Sequence, residues 1–243
     1  RAINNEFQET RADLLDILYP KVLTDQDDLL QDLSEELKEV VSDVLQGRVL
    51  GRENAYKFTR STNDDLGPLC HAASLIRRLG KGTAVSFSPK VFIPLTRMCR
   101  DSCSYCTFRQ GPQEAEKLYM SPDEVVAVAQ AGERLGCTEA LFTLGERPEQ
   151  RYPEAKDWLN KRGYKTTVGY LRDMCELVIQ ESSLSPHANP GTMSHSEMKS
   201  LSDVNVSMGL MLENVSERLY AVGGPHEFAP SKRPKVRLKS IKI

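Results

Sequence analysis

Apolar positions along this chain change their period about a third of the way in. Over residues 1–50 they recur at helical spacing. Leu29, Leu30, Leu33, Leu37, Val40, Val41, Val44 and Leu45 form one stripe, with acidic residues covering the opposite face. Thr24 with Asp27 three residues on predicts a capping pair, and Gly47 a stop. Residues 51–67 read as a loop and residues 69–79 as a second helix. From Val91 onward short apolar runs alternate with helical patterns. The runs cover residues 91–96, 140–145, 184–189 and 204–212 and predict strands. Between them, helices are expected from Ser121-Pro122-Asp123-Glu124 to about Gly136, over 167–181 and around 194–201. Proline at the first helical position and acids in the first turn support the start at Ser121. Strands alternating with helices predict an α/β fold with a parallel sheet. Residues 1–80 are therefore expected to be a helical N-terminal extension, and 81–243 a (βα) domain. In parallel barrels the chemistry gathers at the C-terminal ends of strands.

Composition narrows this picture only modestly. The 243 residues carry a net charge of −2 with 40% hydrophobic content, which suits one or two globular domains and gives no general argument for nucleic acid. No run approaches the length of a membrane span. Charge is uneven, however. Residues 24–46 are acidic, whereas 231–243 hold Lys232, Arg233, Lys235, Arg237, Lys239 and Lys242 without an acid. That tail reads as a solvated or shortened segment rather than a nucleic-acid patch, since basic residues alone supply only nonspecific affinity. The first residue is Arg, so a removed transit peptide stays open. The expected location is cytoplasmic, or an organelle stroma if such a peptide was cleaved.

The decisive chemistry is in the cysteines. Cys99, Cys103 and Cys106 fall within eight residues at C-x3-C-x2-C spacing, with Tyr105 before the third. Three thiolates so spaced can wrap one face of a metal centre and leave one corner free. An iron–sulfur cluster normally takes four cysteines, so three leave an iron open to a small molecule. Structural zinc is the competing reading, but it usually needs four ligands in paired knuckles, and His71 and His187 lie in none. Cys70, Cys137 and Cys175 are isolated and read as buried small hydrophobes. Their spacing argues against a disulfide framework and for a reducing compartment.

The loop Cys99-Arg-Asp-Ser-Cys103-Ser-Tyr-Cys106 resembles the signature of the radical S-adenosylmethionine (SAM) enzymes. The resemblance implies a partial (βα) barrel, a 4Fe-4S cluster on Cys99, Cys103 and Cys106, and SAM chelated at the open iron. At the end of the second strand Leu144-Gly145-Glu146 matches two residues of the family's Gly-Gly-Glu-like motif, which holds the SAM amino group. Tyr105, Gly145, Glu146, Asn189 and Glu213 are then the expected SAM-holding residues, each at or beyond a strand end. No catalytic acid or base can be named from the sequence.

A wider set of segments, 91–108, 145–149, 187–191 and 207–213, looks like the cyclising half of 7,8-didemethyl-8-hydroxy-5-deazariboflavin (FO) synthase, over about residues 80–237. That resemblance implies cleavage of SAM to a 5′-deoxyadenosyl radical. The radical would cyclise a tyrosine–diaminouracil adduct bearing a ribityl chain, with loss of ammonia. It further implies a small-molecule substrate, an electron donor of flavodoxin or ferredoxin type, and the tyrosine-coupling half as a partner, with no nucleic acid and no membrane. Only about four strand–helix units can be counted against the six of the family barrel, so an incomplete, C-terminally shortened barrel is expected. A biotin-synthase-like or thiamine-pathway radical SAM enzyme, and a non-catalytic metal-binding protein, remain the alternatives.

Overall fold

The computed structural model describes residues 30–243. The Thr24–Asp27 pair and Leu29 lie outside the described residues. Contacts divide the chain into two compact units, Arg1–Ser86 and Phe87–Ile243.

In the first unit, helix α1 (Glu35–Leu45) buries Leu37, Val40 and Val41, the centre of the apolar stripe. A small core joins Leu33, Leu37 and Val41 to Ala72 of helix α3 (Asn63–Lys81). Asp65 fixes the start of α3 by accepting from the backbone N–H of Thr62 at 2.8 Å and of Ser34 at 2.7 Å. These bonds satisfy donors that a helix terminus otherwise leaves orphaned. The expected loop over 51–67 instead contains helix α2 (Arg52–Lys57) and the first turn of α3. α2 buries none of its residues, so it has no apolar stripe from which to be read. Cys70, expected inside, is exposed on α3, because the helix turns Ala72 inward and Cys70 outward.

The second unit is built on four parallel strands in the order β1 (Lys90–Thr96), β2 (Glu139–Leu144), β3 (Ser185–Asn189) and β4 (Ser207–Met208). Parallel neighbours need long crossovers. Helix α4 (Pro122–Arg134) joins β1 to β2, while α5 (Pro153–Asn160) and α6 (Thr167–Glu181) join β2 to β3. α7 (His195–Ser202) leads to β4, and α8 (Pro234–Ile241) follows near the end of the chain. One face of the sheet packs Ile93, Leu95, Ala140, Phe142 and Ala188 into a core with Val125, Ala129, Leu171 and Val178 of the helices. The opposite face carries the alternate residues and stays more open.

Most predicted boundaries fall within a residue or two, but the fourth strand does not. Pairing of the expected 204–212 run is confined to His187↔Ser207 and Ala188↔Met208. β4 is an edge with both residues exposed, so no burial rewards further pairing, and the chain leaves the sheet after Gly209 donates to the Ala188 carbonyl at 2.9 Å. Helices α5 and α8 were not anticipated. Among the described residues no helix is long and apolar enough to cross a membrane.

Candidate active site at the strand ends

The C-terminal end of β1 is turned by Thr96, whose hydroxyl donates to the Leu118 carbonyl at 2.7 Å and accepts from Met98 N–H at 3.2 Å. The chain then enters the cysteine loop, which is tied down on two sides. Towards β2, Arg100 N–H donates to the Glu146 carbonyl at 2.7 Å, and Glu146 N–H donates to Cys99 Sγ at 3.2 Å. Towards the C-terminal segment, Ser102 and Ser104 N–H donate to the carbonyls of Phe228 and Pro225 at 2.8 and 3.0 Å. Asp101 Oδ1 accepts from Ser231 N–H at 2.9 Å, while its buried Oδ2 has no partner among the described residues.

Gly145 is required where it stands. A Cβ there would clash with the Met98 carbonyl oxygen and lie 2.7 Å from Cys99 Cβ, so only glycine lets β2 end against the cysteine loop. Gly191 has φ +85° and its missing side chain leaves room for the Glu146 carboxylate. That carboxylate is buried. Its Oε1 accepts from the Thr192 N–H at 3.0 Å and from the Thr192 hydroxyl, and its Oε2 accepts from Arg237 Nη2 at 3.0 Å. A carboxylate offers about four lone-pair sites, so Oε2 keeps one for another donor.

One cleft collects these groups. Cys99, Cys103, Cys106, Tyr105, Gly145, Glu146, Asn189 and Glu213 all line it, which brings every residue singled out in the sequence to one place. Their surroundings differ. Asn189 is the last residue of β3, as expected. Glu213 does not end a strand: it lies five residues past β4 at φ 64°, in the left-handed region, and is ion-paired to Lys232. Tyr105 is exposed, and its hydroxyl lies 2.7 Å from His226 Nε2. Burial pushes its phenol up to about 12. Burial also pushes the Cys99 thiol up to about 11 and raises that of Cys103, against which the Lys232 ammonium works.

Sequence reasoning missed Arg237, Lys232, His226 and Thr192. The basic tail, read as solvated, is folded: Pro234 starts α8, Arg237 is buried against Glu146, and Lys232 joins Glu213. The signal was an arginine one turn after a helix-starting proline. It could not be assigned without knowing that a buried carboxylate awaited it.

A four-iron cluster with one open iron takes three protein donors. The described lining of the cleft supplies three thiols and no fourth cysteine or histidine. The Glu146 N–H already points at one sulfur, the kind of bond that tunes cluster ligands. Among the described residues no three His, Cys, Asp or Glu side chains converge tightly enough to hold a single metal ion. The three thiols lie on one loop and border a common cleft, the donor set that a cluster with one iron left to another ligand would take.

Comparison with known proteins agrees with this geometry. Residues 93–242 match the Radical SAM superfamily. The chain is 52% identical to a 7,8-didemethyl-8-hydroxy-5-deazariboflavin synthase of Methanopyrus kandleri, over 65% of this chain and 47% of that protein. It is 45% identical to an FO synthase of Nocardia farcinica, over 80% of this chain and 24% of that protein. It thus spans about half of the first relative and a quarter of the second. Among solved structures, the FeFe-hydrogenase maturase HydG of Carboxydothermus hydrogenoformans superposes with a TM-score of 0.66 at 22% identity, covering 86% of this chain and 45% of that one. Methylornithine synthase superposes with a TM-score of 0.59 at 17% identity, over 84% of this chain and 54% of that one. These structures share the fold. With a family match over more than half of its length, laid on a cleft that holds the three cysteines, this chain belongs to the radical SAM superfamily.

Proposed function

We propose that this chain carries the radical-generating, cyclising chemistry of deazaflavin (FO) biosynthesis. Its substrate would be a tyrosine–diaminouracil adduct with a ribityl chain. The observation that carries the reading is the gathering of Cys99, Cys103, Cys106, Gly145, Glu146 and Asn189 in one cleft at the ends of three consecutive parallel strands. The identity with a 7,8-didemethyl-8-hydroxy-5-deazariboflavin synthase and an FO synthase supports a deazaflavin product.

In this reading Cys99, Cys103 and Cys106 would hold a 4Fe-4S cluster that also takes SAM. When bound, the pair supplies a 5′-deoxyadenosyl radical on one-electron reduction from a flavodoxin- or ferredoxin-type donor. The chain's own residues bind and orient. Glu146, held by Thr192 and Arg237, presents its remaining Oε2 lone pair to the SAM ammonium. Gly145 keeps the backbone low enough for close approach, and Tyr105, Asn189 and Glu213 border the same space. The cofactor performs the hard step while the protein fixes distance and excludes water. The tyrosine-coupling half of FO synthase is the partner that would deliver the adduct.

Anaerobic reconstitution with iron and sulfide, followed by dithionite and SAM, tests this. Expected are 5′-deoxyadenosine that disappears on Cys→Ala substitution at 99, 103 or 106, and a fluorescent deazaflavin when the adduct is supplied. Formation of 5′-deoxyadenosine without any deazaflavin would assign the chain to another radical SAM reaction. Zinc binding without a cluster would remove the enzymatic reading.

A further inference from the structure

The open face of the sheet beneath the cleft is organised in rows by strand register. Phe92 on β1 lies beside Leu141 on β2, Leu141 beside His187 on β3, and His187 beside Ser207 on β4. Two residues is one full pleat, so this row sits about 7 Å below the row of Thr143 and Asn189, of which Asn189 borders the cleft. The row is sharply divided. Its β1 half is apolar, and Phe92 is 60% exposed although it points out of the middle of a strand. Its β3–β4 half is polar: Ser207 Oγ lies 2.6 Å from His187 Nδ1, and Glu139 Oε2 lies 3.7 Å from the same nitrogen. Glu139 is itself paired to Lys90 and bonded by Ser88, so charge on this face is balanced.

Two details point this polar half at a ligand. Among the described residues His187 Nε2 makes no hydrogen bond, although Nδ1 is engaged. Gly209 next to it adds no side chain: a Cβ there would lie 3.4 Å from His187 Nε2 and 3.6 Å from the Asn189 amide, so glycine leaves both uncovered. Burial and the Lys90 charge lower the His187 pKa, keeping the ring neutral and able to offer one donor and one acceptor.

We propose that this face is a substrate subsite in which His187 and Ser207, with Asn189 above them, hold an uncharged polyhydroxylated chain, while Phe92 and Leu141 hold a flat ring system. A charged ligand would find no net opposite charge here, whereas a polyol matches a surface of alternating donors and acceptors. The inference rests on the functional reading above, which supplies a substrate joining a polyol to rings. The reacting carbon would then reach up one pleat into the cleft of the thiols.

The test is calorimetric titration of the 243-residue chain with ribityl-bearing diaminouracil and with 5,6-diaminouracil lacking the chain. Two or more lost hydrogen bonds correspond to a preference of about tenfold for the ribityl compound. His187→Ala and Ser207→Ala should each bring the two affinities towards equality, while Phe92→Ala weakens both alike. His187→Gln, which keeps a donor and an acceptor, should recover part of the preference, and melting curves identify any variant that fails to fold. Equal affinities in the wild-type chain, absence of binding by both the ribityl-bearing diaminouracil and riboflavin, or a preference untouched by both His187→Ala and Ser207→Ala would overturn the subsite. Deazaflavin formation alongside equal affinities would overturn it while leaving the functional reading standing. Riboflavin binding that depends on His187, without binding of the diaminouracil, would support the subsite and count against deazaflavin synthesis.

Discussion

The two rims of the cleft are built on opposite physical plans. One rim, from β1 to α7, is regular: strands and helices share a core, and backbone ladders position Cys99, Gly145 and Asn189. The other, from Gly209 to α8, has little repeating structure and is held by individual polar contacts. These are Arg237 with Glu146, Lys232 with Glu213, Ser231 with Asp101, and the carbonyls of Pro225 and Phe228 on the cysteine loop. The first plan spreads its stability over many weak contacts. The second concentrates it in a few, so single substitutions there should cost more.

Arg237→Ala is the strongest break. It leaves the Glu146 carboxylate buried with its cationic partner gone, and removing one member of a buried pair costs about 3–5 kcal/mol. Chemical denaturation should show that loss, and a Glu146→Gln/Arg237→Met double variant should recover part of it because no charge is then stranded. The exposed pair Lys117–Glu124 on the regular rim provides the contrast: Lys117→Ala should leave the denaturation midpoint essentially unmoved. Equal losses at the two sites would erase the distinction between the rims.

Gly145→Ala comes next and strikes where the rims meet. The added methyl overlaps the Met98 carbonyl and crowds Cys99, and overpacking of this kind costs about 1–3 kcal/mol. Because the displaced atoms belong to the cysteine loop, iron retained after anaerobic reconstitution should fall more steeply than the melting temperature. Full iron loading would show that the loop accommodates the methyl.

The same contrast explains what could be read in advance. On the regular rim, period and capping residues carried the information: Ser121-Pro122 and 167–181 located α4 and α6, and the apolar runs located β1 to β3. The cysteine spacing located the loop that borders the cleft, and the Gly-Glu pair its neighbour. On the irregular rim each contact depends on a residue far away in sequence, 91 positions for Arg237 and Glu146. No local pattern encodes such a pairing, so Lys232 and Arg237 looked like a solvated tail. β4 was overextended for a related reason: Val204 to Leu212 is apolar enough for a strand, but Val204 packs into the core before the strand begins, and Ser207 and Met208 form an exposed edge with no outer neighbour among the described residues.

Ser121→Ala probes the regular rim alone. Ser121 Oγ accepts from Glu124 N–H, while the Glu124 carboxylate accepts from Ser121 N–H at 2.8 Å, closing a capping box at the start of α4. Losing the cap should cost about 1 kcal/mol. Iron loading and the thiols should be unaffected, since the loss is confined to one helix end. A parallel fall in iron would mean that the rims are more tightly coupled than their contacts imply.

The smallest expected effect is a pH dependence located on the irregular rim. His226 packs between Tyr105 and Tyr220, with Nε2 at the Tyr105 hydroxyl and Nδ1 buried without a partner. Burial lowers its pKa, and the nearby Lys232 and Arg237 charges act the same way, while Glu213 and Asp101 oppose them and do not prevail. A histidine with a lowered folded pKa binds a proton less readily when folded than when unfolded. Its contribution is therefore fully present above the unfolded value of about 6.5 and is lost as pH falls from there towards the folded pKa. His187 shifts in the same direction, so the wild-type melting temperature alone cannot separate the two. The difference between wild type and His226→Phe can. It should be largest at neutral pH and shrink below about 6.5, because only the wild type then meets the cost of a charged ring packed between two tyrosines. A difference that stays constant with pH would place the ring among ordinary packing residues of the irregular rim.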